Sequence, residues 1–227
     1  MTAPEVFKSR ESATRRNFIG GTAAALAAGL CGTLLETKSA VAQAEGPNLL
    51  GPRAGYSPQV GSFVSMLTWM RESNGVLSAT KGLSQADLDA LFDANANTIG
   101  ALMLHLVATE TYYQMNTFDG MKWDSWGDDV KKKWDPAMNL GGLGRKEIKG
   151  HDLDFYLNAL HESRERNLAE FKKRDDKWLL GFDTEQFGKE KVNVYWKWFH
   201  VCEHESHHAG QIGFLAKRIP GAKPSSD

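Results

Sequence analysis

Residues 200–212 read HVCEHESHHAGQI and hold four of the chain's seven histidines within nine positions. Two architectures compete for this stretch. Residues 204–208, HESHH, satisfy the H-E-x-x-H pattern of zinc proteases, in which two histidines one turn apart bind the metal and the glutamate acts as base. The alternative is a helix of an all-α bundle whose histidines meet a partner from another helix. On a helix, positions four apart lie about 40° apart around the axis and positions seven apart about 20°. His200, His204, His208 and Gln211 therefore share one narrow stripe. His207 falls about 60° from His204, beside that stripe, and Cys202 lies on the far side. The protease pattern fails on its third ligand. Its extended form needs Gly and His where Gln211 and Phe214 stand, and only Asp227 is acidic beyond His208. A protease would also need a sheet, and no convincing pair of strands is visible.

Outward from this stretch the pattern is helical throughout. Apolar residues recur at helical spacing over about 59–80 (Phe63, Met66, Leu67, Met70, Leu77), 98–118, 151–178 (Leu153, Tyr156, Leu157, Leu160, Leu168, Phe171) and 189–219. Pro220-Gly221 ends the last segment, and Ser84 opens a short turn before the second. Residues 45–58, rich in proline and glycine, read as an irregular lead-in. The stretch 119–148 has little periodicity and is long for a connector in a compact domain, so it is functional or partly structured. Four long amphipathic segments without strands predict an all-α fold in one domain over 59–219, with 220–227 as a tail.

Residues 1–44 read as a targeting segment to be set apart from the fold. Arg15-Arg16 stand in TRRNFIG, a twin-arginine signature. A soft Ala/Gly-rich apolar run follows, and AVAQA offers cleavage after Ala42 or Ala44. An uncleaved anchor is the competing reading, since about 18 apolar residues can just span a bilayer. A lipid anchor at Cys31 is disfavoured by the large Leu30 before it. The expected location is the periplasm or beyond, without stable membrane association once the signal is removed. Residues 45–227 carry 22 basic and 25 acidic side chains and no basic stripe, so nucleic acid is not an expected partner. With Cys31 removed, Cys202 is left alone and no intrachain disulfide can form.

A pair of histidines one turn apart is a specific metal-binding signal, but two ligands are rarely enough. His105, set in the apolar run IGALMLHLVAT, is the best candidate for a third from another helix. His151 and His161 fall at the start and on the exposed side of the third helix and receive no role. Imidazole ligands suit zinc or nickel. Gln211, on the histidine stripe, is a candidate to orient a bound water, or else makes a helix–helix hydrogen bond. Glu205, about 100° from His204, is the other catalytic candidate, although a solvated position is expected for it. Tyr112 and Tyr113 line a pocket or pack in the core.

TIGALMLHLVATETYY (98–113), HESHHAGQIGFL (204–215), NLGGLGRKEIKGHDLDFYLNAL (139–160) and RDDKW (174–178) together resemble the DinB-like superfamily of metal-binding four-helix bundles, which includes YfiT-like proteins and bacterial thiol S-transferases. The resemblance covers about residues 59–219. It implies an up-down-down-up bundle with 119–148 as a long crossover, and often a homodimer. By position it implies His105, His204 and His208 as metal ligands, leaving His200 and His207 as bystanders or supporting groups. The function it implies is a metal-dependent thiol transferase or hydrolase acting on a small thiol or other anionic ligand. The alternatives are a non-catalytic envelope metal-binding or sensing protein, and a metal that merely clamps two helices.

Overall fold

The computed structural model describes residue 46 and residues 48–73, 75–183 and 191–222. The expected signal at 1–44 lies outside the described residues. Among the described residues the helices are α1 (Pro58–Ser73), α2 (Val76–Thr80), α3 (Gln85–Leu88), α4 (Ile99–Thr117), α5 (Asp128–Asn139), α6 (Gly141–Glu147), α7 (Leu153–Phe171), α8 (Asp176–Leu180) and α9 (Val194–Ala216). There is no strand among them, only an isolated antiparallel bridge between Phe182 and Asn193. No described helix is long and apolar enough to cross a membrane.

The helix starts follow local chemistry. Thr98, Asp152, Asp175 and Asn193 each accept a backbone N–H from the first turn of α4, α7, α8 and α9. Each such cap is worth about 1 kcal/mol. The Asp176 carboxylate of α8 reaches across the chain to accept Ser57 Oγ at 2.6 Å and the amides of Gln59 and Val60, which fastens the start of α1. α4 is buried along nearly its whole length, as expected of a helix apolar on most of its circumference. It packs against α7, α9 and α5, while α1 packs against α7 and α9. Where α4 approaches α7, Gly100 is required, because a Cβ there would lie 2.6 Å from the Tyr156 hydroxyl.

The expected helices differ from the observed ones at four places, one being the start of the fourth helix, expected near 189 and observed at Val194. The first, expected over 59–80, breaks into α1 and α2 around Gly75, whose φ of 104° is a left-handed conformation suited to glycine. The third, expected over 151–178, stops at Phe171 and resumes as α8 with its own Asp175 cap. The connector 119–148 contains α5 and α6, divided at Leu140, whose φ is 53°. Trp126 and the partly buried Trp123 and Trp134 of this connector pack with Tyr112 and Met115 of α4.

The interior has two main apolar clusters. One contains Val76, Leu106, Val107, Leu160, Ala209 and Ile212. The other contains Leu67, Tyr113, Phe171, Val201, Cys202 and Trp198. Between them lies a buried charged layer of Arg71, Glu110, Arg164 and Glu205, one residue from each of the four long helices α1, α4, α7 and α9.

Candidate metal centre

α4 brings His105, and α9 brings His204 and His208, to one point. Nε2 of His204 lies 3.0 Å from Nε2 of His105 and 3.1 Å from Nε2 of His208. All three ligand atoms fall within 4.8 Å of one another. His105 and His208 are 7% and 8% exposed.

The second nitrogen of each outer ring fixes which atom carries the lone pair. His105 Nδ1 is 2.8 Å from the Ala137 carbonyl, which can only accept, so Nδ1 holds the proton and Nε2 is left basic. Ala137 lies in the last turn of α5, where carbonyls lack partners within the helix. The amide that would have followed it, Gly141 N–H, is donated instead to Asn97 Oδ1 at 3.0 Å, leaving the carbonyl for His105. His208 Nδ1 is 2.8 Å from Gln211 Oε1, and the Gln211 amide nitrogen is 3.0 Å from His207 Nε2. This network assigns the amide orientation and leaves His208 Nε2 basic as well.

Without a cation, one N–H on His204 would have to serve both neighbours. Its Nδ1 is buried with no hydrogen-bond partner among the described residues. A divalent ion where the three lone pairs meet satisfies all three at once. Zinc–nitrogen bonds of about 2.05 Å in a tetrahedral shell set ligand atoms about 3.3 Å apart, close to the 3.0 and 3.1 Å that separate His204 Nε2 from the other two. The residues therefore fit a metal. Burial pushes the His105 imidazole down to about 4. Burial, reinforced by the neighbouring imidazoles, takes His204 to about 3, and burial lowers His208 as well. The rings are therefore neutral at neutral pH, the form that ligates.

The family model described as mycothiol S-transferase matches residues 62–221, a span that includes all three histidines and Gln211. The chain belongs to the mycothiol S-transferase family. It is thereby a member of the DinB-like superfamily, as the motifs around His105 and His204 implied. No curated protein matches the chain.

The remaining histidines and candidate residues take distinct places in this family member. His200 Nδ1 lies 3.0 Å from the Tyr113 hydroxyl, and its ring stacks between Trp196 and His204. His207 is exposed. His151 stacks on Phe155 ahead of α7, and His161 is exposed on that helix. Tyr112 and Tyr113 are core residues, Tyr112 stacking on Trp126 and donating to Asp135 at 2.5 Å. Among the described residues Gln211 bonds within its own helix, to His208 and His207, rather than to another helix.

Glu205 corrects the expectation of a solvated side chain. It is 1% exposed and bound to Arg71 Nε at 2.5 Å and Arg164 Nη2 at 2.7 Å. Its carboxylate is committed to two guanidiniums and is not free to act as a base at the histidines. The signal that could have found this layer was the placement of charge on apolar stripes. Arg71 follows Leu67, and Arg164 follows Leu160, by one turn, and Glu110 interrupts the apolar run of α4.

A pocket of about 560 Å³ opens beside the centre. It is lined by His207, Gln211, Asn95, Asn97 and Phe214 among others.

Proposed function

We propose that this protein is a metal-dependent thiol S-transferase that holds one zinc or nickel ion on Nε2 of His105, His204 and His208. The observation that carries the reading is the convergence of three neutral Nε2 atoms whose outer rings are locked by Ala137 and Gln211. A divalent ion held by these three atoms would favour the thiolate form of a bound thiol, the nucleophile that such a transfer needs. The protein's own part is to keep the rings neutral, desolvated and fixed in direction. Gln211 spans the gap between His208 and the exposed His207, at the wall of the neighbouring pocket, where a small thiol has room and where amide groups can recognise polar substituents. The family's description supports mycothiol or a thiol of similar size as cosubstrate. The segment TRRNFIG supports export by the twin-arginine route, which carries folded proteins and so suits a metal seated before export.

Cobalt-substituted protein titrated with small thiols provides the test. A thiol-dependent change in the visible spectrum, lost in His208→Ala, is expected. A spectrum indifferent to every thiol would leave a helix clamp rather than an enzyme.

A further inference from the structure

The three histidines come from two helices, joined within the centre by the 3.0 Å contact of His105 Nε2 with His204 Nε2. The charged layer next to it is a second and larger link between the same helices. Glu205 follows His204 directly, and Glu110 lies five residues beyond His105, about 7.5 Å along α4. The same two guanidiniums grip both carboxylates. Arg164 Nη2 lies 2.6 Å from Glu110 Oε1 and 2.7 Å from Glu205 Oε2. Arg71 Nη2 lies 2.9 Å from Glu110 Oε1 and 3.3 Å from Glu205 Oε2, with its Nε on Glu205 Oε1. The arginines are themselves anchored to backbone, Arg71 on the Leu160 carbonyl at 2.9 Å and Arg164 on the Leu67 carbonyl. Ser163 and Asn167 of α7 complete Glu110 Oε2 at 2.7 and 2.8 Å.

Each guanidinium is a planar fork with fixed donor directions, so it transmits position as well as charge. The layer contains two positive and two negative groups, all 1–6% exposed. A buried ion cluster of this kind gives no assured stability over apolar side chains of equal volume, because desolvation offsets attraction. Its distinctive effect is on register. Sliding α9 along α4 would strip Glu205 from both arginines while the apolar contacts on either side could re-form.

We propose that Arg71 and Arg164 are positioning residues for the three-histidine centre. By clamping Glu110 of α4 to Glu205 of α9, they set the separation between His105 and the His204–His208 pair. The proposal rests on the metal-centre reading for its use, but the clamp acts on the histidine rings with or without an ion.

The test compares Glu205→Gln, which keeps size and shape, with Val60→Ala, a cavity in the other apolar cluster. Cobalt affinity, the visible spectrum and thermal stability are measured for each. Glu205→Gln should lose at least tenfold in cobalt affinity and show an altered spectrum, whereas Val60→Ala should lose stability and leave both unchanged. Arg71→Lys, which retains the charge but not the fork, supplies the same comparison should Glu205→Gln fail to fold. Histidine-ring nitrogen spectra of the metal-free proteins give the independent readout. The parent should show the Nε2 shifts of a His105–His204 contact across α4 and α9, and the layer variants should lose them while the tautomers fixed by Ala137 and Gln211 stay the same. Should the parent bind no cobalt, the metal reading falls alone and the ring spectra still decide the clamp. Unchanged ring spectra in the layer variants, or affinity losses that merely track stability in Val60→Ala as well, would overturn the proposal.

Discussion

Replacing Gln211 by leucine separates metal affinity from fold stability, because this residue is exposed yet bonded to a ligand. Its Oε1 is the acceptor that holds the proton of His208 on Nδ1. In leucine the volume is kept and the acceptor is lost. Outer-shell partners of metal-bound imidazoles are worth about 10- to 100-fold in affinity, or about 1.4–2.7 kcal/mol. The lower end applies here, since water can reach an exposed position and replace part of the bond. About tenfold weaker zinc binding is expected from competition with a chromophoric chelator. The metal-free protein should unfold within about 0.5 kcal/mol of the parent, as an exposed substitution does. Gln211→Glu supplies the opposite sign, because a carboxylate acceptor makes the imidazole a stronger ligand and should tighten binding. Affinity unchanged in Gln211→Leu, or weakened in Gln211→Glu, would refute the assignment of His208 Nε2 as the ligating atom.

Alanine at His105, His204 or His208 should remove most zinc affinity, whereas His207→Ala should retain the ion within about the tenfold range of outer-shell effects; loss at His207 with retention at His208 would show a different ligand set by elemental analysis. The metal-free protein should lose stability as pH falls. His105 and His204 are depressed to about 4 and about 3 from 6.5, so the unfolded chain takes up protons first, and each contributes a loss of up to about 1.4 kcal/mol per pH unit between pH 6.5 and the folded value. Denaturant titrations at pH 7 and pH 5 check this, and a flat profile that His204→Gln does not change would contradict it. Changing Arg15-Arg16 to Lys-Lys should leave folded precursor in the cytoplasm, and undiminished periplasmic yield would exclude the twin-arginine route.

The long helices were legible because their apolar residues keep a 3.6-residue period over many turns. Their interruptions were harder. Val76 and Leu77 continue the apolar pattern beyond Gly75, so periodicity carries straight through a residue whose backbone turns left-handed. The histidine stripe was equally readable, since spacing on a single helix needs no tertiary information. Joining it to His105 required another helix, and a lone buried histidine does not declare its partner. The angle of Glu205 from His204 says nothing about what faces its side chain. Arg71 and Arg164 stand 134 and 41 residues away in the chain, and only packing brings them there. The locks on the two outer rings divide the same way. Gln211 was visible one turn from His208, while a backbone carbonyl at Ala137 leaves no mark in a side-chain pattern.

The carbonyl of Ala137 places an unusual demand on the segment that carries it. Surface connectors ordinarily accept added or deleted residues, but one residue inserted within α5 before Ala137 would rotate that carbonyl by about 100° and take it off His105. The spacing from Asp128 to Ala137 is thus dictated by an imidazole on α4, and the dictation runs through main-chain atoms that no substitution can replace. A transplant of this centre into another scaffold would need more than three histidines at the right separation. It would also need a helix ending beside one of them, with Asn97 or an equivalent drawing away the amide that would otherwise claim the same oxygen.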